Sequence, residues 1–179
     1  MKIKYVLMLL VASLFMAGSV LAQKPAATKF TSVYTSLSKG CKTLKGGEGQ
    51  DDAYICRGAG KYQVRVYYSA ASSHINAELK GTDESVPLAT LSIGFDESKT
   101  TLEWRLADGK PFAVIMRQPV YSETVNEGEY YGKVIGQKLV ITGLVGFTET
   151  ITGEVDAKTP NANVKARKIA DDAYIAQAK

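Results

Sequence analysis

Residues 101–117 read TLEWRLADGKPFAVIMR, and the reading of this stretch decides the fold. Asp108 and Gly109 stand between two runs of alternating character, and an Asp-Gly pair supplies the positive-φ turn that a two-residue hairpin demands. With these two residues at the turn centre, Ala107 pairs with Lys110, Trp104 with Ala113 and Leu102 with Ile115. Alternation puts Trp104 with Leu102 and Leu106 on a buried face. Glu103 and Arg105 fall on the opposite face, with Arg117 on the partner strand. There they are expected to pair across strands, the alternative being an Arg-lined ligand face.

Working outward, the same pattern recurs upstream. In KYQVRVYYS (61–69), Tyr62, Val64, Val66 and Tyr68 alternate with Gln63, Arg65, Tyr67 and Ser69, as in a half-buried strand. The short runs INAEL (75–79) and LATLSIGF (88–95) follow, separated from each other and from residue 101 by GTDESVP and DESK. FTSVYTSLSKG (30–40) fits a helical face at Phe30, Val33, Tyr34 and Leu37, but its Thr and Ser content favours an extended segment. Downstream, EYYGKVIGQKLVIT (129–142) suggests a second hairpin around Gly136-Gln137, and GFTETITGEV (146–155) one more run.

After Asp156 the period changes. KTPNANVKARKIADDAYIAQAK (158–179) offers Thr159 as N-cap and Pro160 as first helical residue, with Ala162, Ala166, Ile169 and Ala173 on one face. Asn163, Arg167 and Asp171 form an adjoining polar row, expected to support the helix by i,i+4 contacts. The chain is expected to be mainly β (α+β): an antiparallel sheet or sandwich with one C-terminal amphipathic helix, in a single domain over 30–179.

The first residues, MKIKYVLMLLVASLFMAGSVLAQ, combine two lysines, an apolar run from Tyr5 to Ala17 and the small-residue pattern Val20-Leu21-Ala22 before Gln23. That layout reads as a secretory signal peptide over 1–22, followed by a flexible mature N-terminus over 23–29. The expected location is periplasmic or secreted, with no membrane anchor once the leader is cut. Cleavage removes Lys2 and Lys4, half of the formal +4 charge. The remaining balance does not point to nucleic acid as a partner. Cys41 and Cys56 are the only cysteines, and in an oxidising compartment they are expected to form a disulfide. No C-x-x-C pair is present and His74 is the sole histidine, so neither a metal site nor a cofactor is expected.

Few residues suggest catalysis. Ser72-Ser73-His74 reads as a polar turn, since a triad needs its members brought together in space with an orienting acid. The acidic doublets Asp51-Asp52, Asp83-Glu84 and Asp96-Glu97 read as solvated turns. Glu48, Asp51 and Asp52 lack the spacing of a calcium loop. The two Tyr-Tyr steps carry the binding expectation: Tyr67 faces outward beside Arg65, and Tyr131 faces outward beside Lys133 with Tyr130 turned inward. Exposed tyrosines next to cations are common where protein or sugar is bound.

VYTSL (33–37), the Cys41/Cys56 pair followed by a strand, TLEWRL with PFAVIMR, and VDAKTPNANVKARKIADD (155–172) together resemble a family of small uncharacterised exported proteins of Gram-negative bacteria. Its members share an early cysteine pair, a WR strand followed by a P-F-A-x-I-x-R strand, and a terminal AN-x-x-AR-x-x-AD helix. The resemblance implies an exported product and carries no activity. The expected function is therefore an exported binding or interaction module for an unknown protein or glycan of the cell envelope, one form of which is an inhibitor of a cell-envelope hydrolase. A small periplasmic hydrolase using the acidic residues is the alternative.

Overall fold

The Asp108-Gly109 turn forms, with φ of 49° and 80°, and joins two strands of a computed structural model that describes residues 27–47, 52–69, 71–92 and 99–177. In chain order the strands are β1 (Phe30–Ser36), β2 (Lys42–Leu44), β3 (Ala53–Arg57), β4 (Tyr62–Ser69), β5 (Ser72–Leu79), β6 (Ser85–Ser92), β7 (Thr101–Ala107), β8 (Lys110–Tyr121), β9 (Val134–Gly143) and β10 (Thr152–Asp156). Helix α1 (Ala162–Gln177) ends the chain. The strands make two five-stranded antiparallel sheets, β1-β7-β8-β9-β10 and β2-β3-β4-β5-β6. The second sheet is a plain meander. The first takes its edge strand β1 from the other end of the chain, in register Phe30↔Ala107 to Ser36↔Thr101.

Beyond the turn, the hairpin departs from the simple register. Ala107 pairs with Lys110 and Leu106 with Pro111, but Arg105 pairs with Ala113, Trp104 with Val114 and Leu102 with Met116. Phe112 is the extra residue of a bulge next to Pro111, which has no N–H to give to a ladder. A slip of one residue reverses the facing of a whole strand. Val114 and Met116 therefore join Trp104 on one side of β8, while Ala113 and Ile115 go to the other.

The expected hairpin at Gly136-Gln137 is not there. β9 runs through both residues and pairs with β8, with Val120 opposite Gly136 and Tyr121 opposite Val134. Gly136 thus marks a bulge at Ile135, a common role for glycine inside a strand. The connection is made by residues 122–133, closed by the Ser122 N–H donating to Lys133 O at 2.8 Å.

Two apolar clusters give the molecule three layers. Val64, Val66, Ile75, Leu91, Leu102, Trp104, Val114 and Met116 fill the space between the sheets. Trp104 is fully buried, and its Nε1–H donates to Thr35 Oγ1 at 2.8 Å. On the outer face of the first sheet, Phe112, Ala113, Ile115, Leu139, Ile141 and Val155 meet Ala162, Ala166 and Ala170 of α1. Small residues let the helix come close. A Cβ on Gly153 would lie 3.0 Å from Ile169 Cγ2.

Helix α1 starts two residues after Pro160, with the Ala162 N–H on Thr159 O. Cys41 and Cys56 are bonded. The bridge ties the segment leaving β1 in the first sheet to the buried side of β3 in the second. No helix among the described residues is long and apolar enough to cross a membrane. The leader over 1–22, together with Glu48, Asp51, Asp96 and Glu97, lies outside the described residues.

Candidate functional site

The outer face of the first sheet carries charge as well as apolar bulk, because Ser32, Tyr34, Glu103, Arg105 and Arg117 alternate onto it from β1, β7 and β8. Glu103 and Arg105 are only 7% and 6% exposed. They do not pair across strands as alternation alone suggests; they pair with the helix. Arg105 Nη2 donates to both carboxylate oxygens of Asp171, at 2.8 and 2.6 Å, and Nη1 donates to Ser32 Oγ at 2.6 Å. The Ser32 hydroxyl donates to Glu103 Oε1 at 2.5 Å, which also accepts from Arg167 Nε at 2.5 Å. Arg167 Nη2 reaches Tyr34 Oη at 2.8 Å. The hydrogen bond to Glu103 raises the Arg167 pKa above its ordinary value, so its charge is fixed. The helical row Arg167 and Asp171 thus faces the sheet and, among the described residues, finds its partners on β1 and β7.

Beside this network the helix leaves part of the sheet uncovered. A cleft of about 510 Å³ opens there, with Ile115 and Leu139 on its floor, Arg117 and Gln137 beside them, and Tyr34, Asn163 and Arg167 on its walls. Its volume is within the range of small-molecule sites. Lys99 and Thr101 also line it. Arg117 is exposed and makes no hydrogen bond or ion pair among the described residues. Glu103 is the only carboxylate among the described lining residues, and both its oxygens are occupied by donors.

The residues singled out in the sequence for binding lie elsewhere. Arg65 and Tyr67 do share the outer face of β4, but each has a partner on β5. Arg65 Nε donates to Glu78, which also accepts from Gln63. Tyr67 stacks on His74 with ring centroids 4.8 Å apart. Tyr131 and Lys133 belong to the 122–133 connection instead of a strand. Tyr131 is half-buried, hydrogen-bonded to Ser72 Oγ at 2.7 Å and packed on Tyr121 at 5.0 Å, whereas Tyr130 is 76% exposed. The expected facing of this pair is therefore reversed. No hydrogen bond, ion pair or ring contact among the described residues joins Arg65 or Tyr67 to Tyr131 or Lys133.

Ser72, Ser73 and His74 sit on β5 and not in a turn. Alternation sends the Ser73 side chain into the core, where its hydroxyl has no partner among the described residues, and His74 to the outer face, where Nδ1 lies 3.3 Å from Thr90 Oγ1. Nucleophile and base diverge. Asp52 is bound by Lys45 Nζ at 2.6 Å and the Gly46 N–H at 3.1 Å, which hold its carboxyl below the ordinary range. Asp83 and Glu84 stand exposed in the β5–β6 turn. Among the described residues no group of three or more His, Cys, Asp or Glu side chains is placed to hold a metal ion.

In the sequence Tyr34, Gln137 and Asn163 carry strand, turn and helix signals but none for binding. The strand pattern marks Arg117 and Glu103 together, through their shared facing. Comparison with protein-family models, curated proteins and solved structures finds no match for this chain.

Proposed function

We propose that the protein is an exported binding module whose cleft between α1 and the first sheet holds an anionic ligand. One observation carries this reading. Arg117 presents an exposed guanidinium without a partner among the described residues, in a cleft also lined by Arg167 and Lys99. A guanidinium presents a fork of charged donors that bonds a carboxylate or phosphate more strongly than a neutral donor does. The disulfide and the leader-like first residues support an oxidising location. A hydrolase working through paired carboxylates is less well supported, because Glu103 has no second acid beside it among the described lining residues.

The test is an amide NMR titration of the purified chain with acetate, succinate, sulfate and inorganic phosphate. Saturable shifts at Arg117, Leu139 and Asn163 are expected for at least one anion, and Arg117→Glu should abolish them while leaving the thermal melt unchanged. Absence of saturable shifts, or shifts that survive Arg117→Glu, would overturn the proposal.

A further inference from the structure

We infer that the anionic group is carried on a sugar ring, so that the cleft takes a hexuronic acid unit of an acidic saccharide. This rests on the anion-binding reading above and names the class of ligand. Three observations point to it. First, Arg117 has a planar fork of donors, which matches a single carboxylate bidentately.

Second, the cleft also offers three neutral, uncommitted side chains. The side chains of Gln137, Asn163 and Thr101 are exposed and make no hydrogen bond among the described residues. An amide offers donors and an acceptor side by side, which suits neighbouring hydroxyls that both give and accept. Third, Tyr34 is 55% exposed at the rim, its hydroxyl held by Arg167 Nη2. An anchored aromatic face is a rigid support for the apolar side of a pyranose, and being already ordered it loses little freedom on binding.

The floor argues against the two other common anions. It is made by Ile115 of β8 and Leu139 of β9, each paired with a neighbouring strand on both sides. Their backbone groups are consumed in the ladders. An acidic peptide lying there finds no edge to extend, and its own N–H and C=O groups stay unpaired when buried. A bare phosphate does best where several backbone N–H groups converge, and strand backbone that is already paired offers none.

The experiment compares sodium glucuronate, glucose, succinate, inorganic phosphate and a short poly-glutamate peptide by calorimetry and amide NMR on the purified chain. Glucuronate is expected to bind about tenfold tighter than succinate, the gain of roughly one net hydrogen bond, and glucose not measurably. Arg117→Ala should remove glucuronate binding. Tyr34→Ala and Gln137→Ala should each weaken glucuronate about three- to tenfold and leave succinate unchanged, with the thermal melt unaltered in the Arg117 and Gln137 variants. Succinate, phosphate or poly-glutamate binding as tightly as glucuronate would overturn this inference and leave the anion-binding reading standing. No anion binding at the cleft would overturn both.

Discussion

Trp104 couples the two sheets: its ring fills the inter-sheet core while its N–H reaches β1 at Thr35. Truncating it to alanine should lower unfolding free energy by about 3–5 kcal/mol, read from urea denaturation. Alternation with Leu102 and Leu106 made its burial legible, although the bulge gave it Val114 and Met116 as neighbours in place of Ala113 and Ile115. Tyr131 was not legible, because the period-two rule applies to strands and this residue lies in a connection, where it bonds Ser72, 59 positions away. Tyr62 and Tyr121 suggest a pH experiment. Burial pushes both phenols above the usual value of 10.0. The folded state therefore favours the neutral form, and the stability this gives is fully present below the unfolded value and is lost as pH rises through the folded one. The double variant Tyr62→Phe, Tyr121→Phe should retain its stability to a higher pH, as measured by circular dichroism between neutral and strongly alkaline solution.

The docking of helix α1 combines three alanines with two ion pairs. Asp171 is the sole carboxylate partner of Arg105 among the described residues, and the Arg105 side chain is 7% exposed. Asp171→Ala strands a buried charge and should cost about 3–5 kcal/mol. Replacing both members, Arg105→Met with Asp171→Leu, should cost far less, since apolar side chains of similar volume often match or exceed a buried pair. Thermal and chemical denaturation of the three proteins checks this, and equal losses in the single and double variants would contradict it. The helix and its alanine face were legible from their period. The facing of Arg167 and Asp171 was not, because the i,i+4 rule looks four residues away, whereas their partners are 64 and 66 residues distant. The bulge at Phe112 had a signal in Pro111, and Gly136 marked an irregular point on β9 that was read as a turn. Glycine and proline locate a break in the ladder but do not say whether the chain reverses there or only bends.

At the scale of the molecule, strand count and alternation were enough for a mainly β chain with a terminal helix, but not for how β1 is used. A strand at one end of a sequence carries no mark of the strand it will pair with. The candidate cleft was illegible for the same reason: it exists only because β1, β7–β9 and α1 converge. The disulfide spans the crossing from one sheet to the other, and replacing both cysteines by alanine should lower stability by about 3 kcal/mol without loss of the fold, since the core between the sheets is extensive. Comparing guanidinium denaturation of the oxidised, reduced and Cys-free chains tests this. The contact of Phe30 with Tyr174, at 5.7 Å between ring centroids, brings the first strand beside the last helix. A circular permutant follows from it: Gln177 rejoined to residue 27 through a Gly/Ser linker of about six residues, with new termini opened at the exposed Gly128 of the 122–133 connection. In that chain β1 would be synthesised after the helix and after β10, and β7 would come last but for β8, so the first sheet could close only at the end of translation. The permutant should reach the same folded state at a different refolding rate, which separates what the architecture requires of this sequence from what the order of its synthesis contributes.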